Sequence, residues 1–524
     1  MAAGDGEPVL QLKSVCVVGA GMAGLAAARE LRREGHAVTV MEQSSDVGGQ
    51  WLYDPRTDVV DPLGAVEPVR VPSSIYACLR LTSPREVMGF SDFQFLPREG
   101  AGRDLRRYPG HRELHCYLRN FCDAFGLMDA VKLDTRVLRV APVAMSMSTT
   151  TRRWAVRSVR RLSGTDDDDD AGKDEEVFDA VVVATGNYAQ RMLPSDIQGM
   201  GEWRRRQLHS HSYRTPVPFH DEAVVVVGCG ASGKDIALDL GRVAREVHLA
   251  ASSEAEAATP AMSRMLANHG DVLRLHPRVR QLHTDGQVEF TDGSSVMADT
   301  VIYCTGYAYS FPFLDTGGAV TVSDDGYVVG PLFEHVFPPS LAPTLSFVGV
   351  PRKVLIPWFF EVQARWVAQV LSGRRTLPSE DQMLRSVEEQ LRAREAAGVA
   401  RKHTHNIASV EPRDMYEFGE KYCDFTPTEE WKKELILSSN ASMDDDVETF
   451  RDRAADDSEK VRKGVQGWLG GLVAQAQEET AVKTEDSFHR ILLIIEVDEG
   501  KIQVLDSLLN EVNDYKIVKG MVDT

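Results

Sequence analysis

Two stretches carry the residue types and spacing of nucleotide chemistry. Gly19-Ala20-Gly21-Met22-Ala23-Gly24 follows the apolar run Val15-Cys16-Val17-Val18, and Gly228-Cys229-Gly230-Ala231-Ser232-Gly233 follows the valines Val224 to Val227. In such a G-x-G-x-x-G turn the first glycine allows a tight bend and the second lets backbone approach a pyrophosphate. The third lets helix pack closely on strand. A helix opening at the turn offers free N–H groups and the positive end of its dipole to phosphate. Either stretch, taken alone, also reads as a glycine-rich turn that binds nothing.

The elements around them decide the matter. Leu25 to Glu34 is an Ala/Leu/Arg-rich helix closed by Gly35, and His36 to Met41 is a second apolar run ending on Glu42. An acid roughly 20 residues past the turn is where a ribose-binding carboxylate is expected. Around the second turn, Lys234 to Val243 reads as the helix and Val247 to Ala250 as the next strand. Two complete units about 200 residues apart predict two dinucleotides. An enzyme holding two most simply passes a hydride between them, a two-flavin protein being the rarer alternative. After the first unit comes Gly48-Gly49-Gln50-Trp51. The paired glycines permit unusual backbone, and Gln50 and Trp51 suit a planar ring. On its own this is as well explained by an ordinary turn and a core tryptophan; after Glu42 it makes a flavin the preferred first nucleotide.

Phe178 to Gly186 and Asp299 to Tyr307 are buried strands that each run into Thr-Gly, as if two nucleotide domains each returned to their own sheet. The expected fold class is therefore α/β, with two Rossmann-like domains. Arg112 to Phe125 reads as a helix, and Lys132 to Val140 and Trp154 to Val159 as antiparallel strands. The segments 145–152 and 165–176 read as loop tips.

Composition fits a globular protein with more than one core: 524 residues, 43% hydrophobic and 26% charged. A net charge of −19 argues against a nucleic-acid partner. The run Asp166 to Asp170 reads as a solvated loop and not as a metal site. Seven cysteines without a C-x-x-C pair suggest reduced thiols in the cytoplasm. Residues 1–10 lack the basic start of a signal peptide, and no apolar run reaches the roughly 18 residues of a membrane span.

Ahead of the second turn lies Trp203-Arg204-Arg205-Arg206-Gln207-Leu208-His209-Ser210-His211-Ser212-Tyr213. It resembles the F-x-G-x-x-x-H-x-x-x-Y/F signature of flavin-containing monooxygenases, with His209 and Tyr213 matching, Trp203 in place of Phe and Arg205 in place of Gly. The continuation through Arg214, Pro216 and Pro218-Phe219 resembles the plant S-oxygenating branch, whose best-known members oxidise methylthioalkyl glucosinolates. Pro84-Arg85-Glu86, Asp92-Phe93, Thr305-Gly306-Tyr307, Pro351-Arg352-Lys353 and Phe360-Glu361 extend the resemblance over residues 12 to 470. It implies FAD at the first turn, NADPH at the second, O2 as co-substrate and a thioether or amine as the oxygen acceptor. An FAD domain would span 12–220 and 331–470, with an NADPH domain at 221–330 inserted and an extension of unknown role at 471–524.

Two positions depart from the family pattern. Thr82 stands where the family usually has an asparagine that helps hold the oxygenated flavin, so it is the expected catalytic position. Ala251-Ser252-Ser253-Glu254 stands where an arginine commonly meets the 2′-phosphate of NADPH, leaving Arg264 or Lys234 as substitutes. His209 and Tyr213 are expected to brace the linker between domains, and Arg204 to Arg206 to form a solvated basic loop. Further on, Trp358 to Val370 and residues 378–398 read as helices and Ser442 to Lys463 as acidic surface. Ile491 to Ile495 reads as a strand and Lys501 to Val512 as a helix. A flavin disulfide reductase would need a redox cysteine pair that Cys16 and Cys78 do not supply. The remaining alternatives are an N-oxidising or auxin-forming oxygenase and a catalytically impaired nucleotide-binding interaction protein.

Overall fold

A computed structural model describes residues 12–57, 61–64, 71–143, 152–160, 173–407, 412–453 and 457–470, and the backbone of 494–498 and 501–505. The expectations for residues 1–10, for the 145–152 tip as far as 151, for Asp166 to Asp170 and for 506–512 lie outside the described residues. The chain divides into two units, Met1–Glu429 with Ile436–Ala454, and Glu430–Leu435 with Ala455–Thr524.

In the larger unit, β1 (Ser14–Val18), α1 (Met22–Arg33) and β2 (Ala37–Met41) lead to α2 (His111–Ala124) and β3 (Val131–Lys132). The antiparallel strands β4 (Thr135–Pro142), β5 (Trp154–Arg160) and β6 (Lys173–Phe178) precede β7 (Ala180–Val183) and the short β8 (Gln190–Arg191). A second sheet is entered at β9 (Arg206–His209) and built from β10 (Ala223–Val227), α3 (Ala231–Leu240) and β11 (Glu246–Ala250). It continues through α4 (Glu254–Ala257), α5 (Pro260–His269) and β12 (Leu273–His276). The antiparallel β13 (Val279–Leu282), β14 (Gln287–Phe290) and β15 (Ser295–Met297) then lead to β16 (Thr300–Tyr303). Next, β17 (Tyr307–Ala308) pairs with β8, and β18 (Thr321–Val322) with β19 (Val329–Gly330). Finally β20 (Leu345–Phe347) is followed by α6 (Ile356–Leu371), α7 (Glu380–Ala396), α8 (Pro412–Cys423) and α9 (Glu430–Asp445).

The two main sheets have the same plan. The first runs β20-β7-β1-β2-β3 and the second β9-β16-β10-β11-β12, every pairing parallel. Parallel strands covered on both faces read as unbroken apolar runs, which is why Val15 to Val18 and Val224 to Val227 show no alternation. Cys16, Val18, Val181 and Phe347 pack on one side against Trp154 and Val156 of the β4–β6 sheet. In the second sheet Val225, Val227 and Val301 pack on Val288 and Phe290 of the β13–β15 sheet. Its other face, Val224, Val226 and Leu249, meets Ile236 and Leu240 of α3 and Met262 of α5.

Helix α1 follows from its composition: Ala26, Ala27 and Ala28 are strong helix formers small enough to let Met22 to Leu31 sit buried. It ends where Gly35 takes φ +87° and His36 N–H reaches back to Leu31 O at 3.0 Å. The second sheet draws β9 from upstream of residue 221, and Tyr309 and Val329 already pack with the first sheet's core.

Some local expectations give way to tertiary structure. Lys132 to Val140 is not one strand: Asp134 adopts φ +53°, leaving β3 in the first sheet and β4 in the antiparallel one. Arg205 and Arg206 are not a free basic loop. Arg205 Nη1 donates to Ala298 O at 2.7 Å, while Arg206 Nε donates to Thr300 Oγ1 at 2.8 Å and its guanidinium covers Phe219. Within the acidic 442–463 stretch, Val447 and Phe450 are buried, because apolar residues there pack inward between charged neighbours. In the smaller unit, Ile494–Asp498 and Lys501–Leu505 form an antiparallel pair, so Lys501 to Leu505 is a strand and not a helix. Ile502 and Val504 are β-branched and alternate with Lys501, Gln503 and Leu505, a period of two that favours a strand.

Candidate functional site

The first turn separates glycines the fold requires from one it does not. A Cβ on Gly24 would lie 1.8 Å from Gly19 O, so that glycine serves helix–strand packing. Gly21 has an ordinary φ of −75°, and a Cβ there would meet nothing nearer than Gly49 Cα at 3.5 Å. Neither backbone nor neighbour forbids a side chain at 21; the space beside it suits a ligand. The first intrahelical bond of α1 runs from Leu25 N–H to Gly21 O at 2.9 Å, leaving the N–H groups of Met22, Ala23 and Gly24 without helical acceptors.

Glu42, only 5% exposed, accepts from Ala20 N–H at 2.7 Å through Oε2 and from Ser44 N–H at 2.8 Å through Oε1. Gly48 N–H donates to Ala20 O at 2.9 Å, which ties the Gly-Gly-Gln-Trp segment to the turn. Gly49 takes φ +56° and presses against Gly21, a close approach that no side chain could share.

These residues open onto a cavity of about 520 Å³. Gly19, Gly21, Met22, Ala23, Glu42, Gly49, Gln50 and Trp51 line it, while Ala20 and Gly24 stand behind the lining. Other lining residues were not picked out as site residues from sequence: Arg136 and Leu138 on β4, Thr185 to Tyr188 after β7, and Gly349, Pro351 to Val354, Ile356 and Phe360 around the start of α6. Asn187 Nδ2 donates to Gly349 O at 3.0 Å and so joins the ends of β7 and β20 across the cavity floor. The Thr-Gly strand ending was the available signal for this part of the wall. The cavity, the free N–H groups and the buried acid fit a dinucleotide.

At the second turn the same division holds. A Cβ on Gly233 would lie 2.0 Å from Gly228 O, whereas one on Gly230, at φ −68°, meets nothing within 4 Å. Gly230, Ala231 and Ser232 are exposed and Cys229 is buried. Burial, and then the Glu256 carboxylate, pushes the Cys229 thiol up to about 12. Of the substitutes for a phosphate-binding arginine, Arg264 is held by Asp445 at 2.7 Å, and Lys234 sits in the first turn of α3.

Helix α3 is fastened to the rest of the unit through its acids. Tyr213 Oη donates to Asp239 at 2.7 Å, Tyr76 Oη to Asp235 at 3.0 Å, and Arg451 Nη2 to Asp235 at 3.0 Å. His209, at the end of β9, accepts from His211 N–H through Nδ1 at 3.1 Å and faces Gly306 O through Nε2 at 3.0 Å. Those two bonds fit only the neutral ring, and burial followed by the Arg191 charge lowers its pKa to about 3. His209 and Tyr213 therefore act as braces.

Thr82 does not line the cavity. It is exposed, next to Leu81, whose carbonyl accepts from Arg451 Nε at 3.1 Å. The Thr82 loop is thus joined through Arg451 to the helix of the second turn.

Paired Rossmann sheets, each with its own glycine-rich turn at a strand-to-helix junction, define an α/β protein of the dinucleotide-binding class. The family model described as flavin-binding monooxygenase-like matches residues 12–270 and 263–412. Flavin-containing monooxygenase FMO GS-OX-like 9 of Arabidopsis thaliana is 50% identical over 459 residues, 87% of this chain and 95% of that protein. FMO GS-OX4 of the same plant is 42% identical, over 84% of this chain and 91% of that protein. Among solved structures, S-allyl-L-cysteine S-oxygenase from Allium sativum is 40% identical with a TM-score of 0.76, covering 90% of this chain and 99% of that one. Tmm from Pelagibacter sp. strain HTCC7211, at 21% identity and a TM-score of 0.67, shares the fold. The chain belongs to the flavin-containing monooxygenase family and is an NADPH-dependent oxidoreductase acting on a small molecule with O2. No helix among the described residues is long and apolar enough to cross a membrane.

Proposed function

We propose that this enzyme transfers one oxygen atom from O2 to the sulfur of a small thioether. The observation that carries the reading is the likeness to S-allyl-L-cysteine S-oxygenase, which extends over nearly all of that chain at 40% identity. We assign FAD to the first turn, with Gly19, Ala20, Gly21, Met22, Ala23, Gly24, Glu42, Gly49, Gln50 and Trp51 as its binding residues. NADPH is assigned to Gly228, Cys229, Gly230, Ala231, Ser232 and Gly233. FAD would then rest on segments 12–220 and 331–470 and NADPH on 221–330, to which β9 adds a strand. Thr82 enters as the catalytic position on the strength of the resemblance.

Bound flavin, reduced by the nicotinamide, supplies the activation of O2. The chain's own part is positional. The N–H groups of Met22, Ala23 and Gly24 would donate to the pyrophosphate, and Glu42 would accept from the ribose hydroxyls. Gln50 and Trp51, which line the cavity beside the turn, would flank the bound group. The seven cysteines, all unpaired, support a reducing compartment such as the cytoplasm.

The test is product analysis. FAD-loaded protein with NADPH and O2 should convert an S-alkyl cysteine to its sulfoxide, with one oxygen gained per NADPH consumed. An amine oxidised in preference to every thioether would move the enzyme to the N-oxidising class. NADPH consumption that no nucleophile stimulates would favour the impaired, partner-binding alternative.

A further inference from the structure

The two turns can be compared residue by residue, because their backbone hydrogen bonds correspond. Val18 pairs in register with Met41, and Val227 with Ala250. Gly19 N–H donates to Met41 O at 2.8 Å, and Gly228 N–H to Ala250 O at 2.9 Å. Glu42 N–H then donates to Lys132 O at 3.0 Å, and Ala251 N–H to His276 O at 2.9 Å. Ala251 is therefore the counterpart of Glu42, and Cys229 the counterpart of Ala20. Ala251 brings no carboxylate to the place where Glu42 meets the first ribose.

A carboxylate reaches that region from further along the chain. Glu256 Oε2, on α4, accepts from Ser252 N–H at 3.1 Å and from Ser252 Oγ at 2.8 Å. Burial first and then the Glu256 charge raise the Cys229 thiol, while the Lys234 charge lowers it. Ser253 Oγ is used as well, accepting from Glu256 N–H at 3.3 Å as the cap of α4. The Ser252 hydroxyl, which could have donated to a phosphate, thus donates to Glu256, and Ser253 Oγ accepts from its backbone. Arg264 is engaged with Asp445, and Lys234 is the basic residue left near the turn.

We propose that Glu256 reads the 2′ position of the adenosine ribose at the second turn, accepting from a 2′-hydroxyl and repelling a 2′-phosphate. The margin by which the enzyme prefers NADPH over NADH is then narrow. This rests on the reading of the second turn as the nicotinamide site. A carboxylate and a phosphate dianion in contact repel each other unless a cation separates them, whereas a carboxylate and a ribose hydroxyl make a charge-assisted hydrogen bond.

The experiment is calorimetric titration of the FAD-loaded protein with adenosine 2′,5′-bisphosphate and, separately, with 5′-AMP. In Glu256→Gln, which keeps an acceptor for Ser252, the affinity ratio should move toward the bisphosphate by about tenfold. Ser252→Ala keeps the carboxylate and should hold the ratio near wild type. A ratio unchanged in Glu256→Gln, or shifted as far by Ser252→Ala, overturns the role given to Glu256. Gly230→Val separates this failure from the other: loss of both ligands places them at the second turn. Ligands that bind Gly230→Val as well as wild type would overturn the nicotinamide reading of that turn, and this proposal with it.

Discussion

The guanidinium of Arg29 on α1 donates to the carboxylate of Glu361 on α6, and each side chain is 1% exposed. Arg29 also donates to Asp92 at 2.6 Å and Glu30 at 2.9 Å, while Glu361 accepts from Ser91 N–H and Oγ, each at 2.8 Å. Phe90, Phe121 and Phe125 surround the guanidinium. Removing Glu361 takes away the most buried acceptor of the guanidinium and leaves it to Glu30 and Asp92. Glu361→Leu should lower stability by about 3 kcal/mol, and adding Arg29→Met should restore much of the loss. Denaturant unfolding of the single and double variants checks this; additive losses would show that the two side chains do not act as a pair.

Gly21→Val should yield folded, colourless protein, and Gly230→Val should stay yellow but be reduced slowly by NADPH. A Cβ at 21 lies 3.5 Å from Gly49 Cα and one at 230 meets nothing within 4 Å, so a folded variant that loses its cofactor reports on the ligand. Circular dichroism confirms folding, and absorbance near the flavin band reads occupancy and reduction. Two yellow variants reduced at the wild-type rate would refute both cofactor assignments.

Thr82→Asn should lower the peroxide released per NADPH oxidised by about twofold or more, since an amide reaches further than a hydroxyl as a donor. Peroxide and NADPH are measured in the same reaction, without substrate and with a thioether. If wild type is already tightly coupled and the substitution changes nothing, the catalytic place given to Thr82 is wrong.

Acid should destabilise the protein through His209 and His211. Burial, followed by the Arg191 charge, lowers both to about 3. An unfolded histidine titrates near 6.5, so between pH 6.5 and 3 the unfolded chain binds protons that the folded chain does not. Stability is then full above pH 6.5 and falls as pH falls, by up to about 1.4 kcal/mol per pH unit for each ring. Melting curves from pH 7 to 5 should show the drop, and His209→Gln should make it shallower. Parallel curves for the two proteins would mean His209 is protonated in the fold.

The two glycine-rich turns and the place of Glu42 beside the first were legible because their geometry is local: each depends on residues a few positions apart at the junction of strand and helix. The far wall of the cavity was not. Asn187 and Gly349 come from strand ends 162 residues apart and Arg136 from a third strand, and no local pattern marks them as neighbours. Arg451 was hidden for the same reason, since it lies in a stretch that reads as acidic surface yet bonds Leu81 and Asp235. Asp134 broke an apparently continuous strand through a positive φ that a propensity argument does not see. Residues 501–505 show the limit from the other side: a helix was read where β-branched alternation and a partner strand prevail.

The interruption of the first sheet has a consequence for the order in which the chain matures on the ribosome. β7 waits for β20, whose Leu345 pairs with Val181, whereas every strand of the second sheet lies between Arg206 and Tyr303. At about 5–20 residues per second, translation from one partner to the other takes roughly ten to thirty seconds. The second sheet can assemble during that interval. The first, begun earlier, must hold an open edge until the later strand emerges.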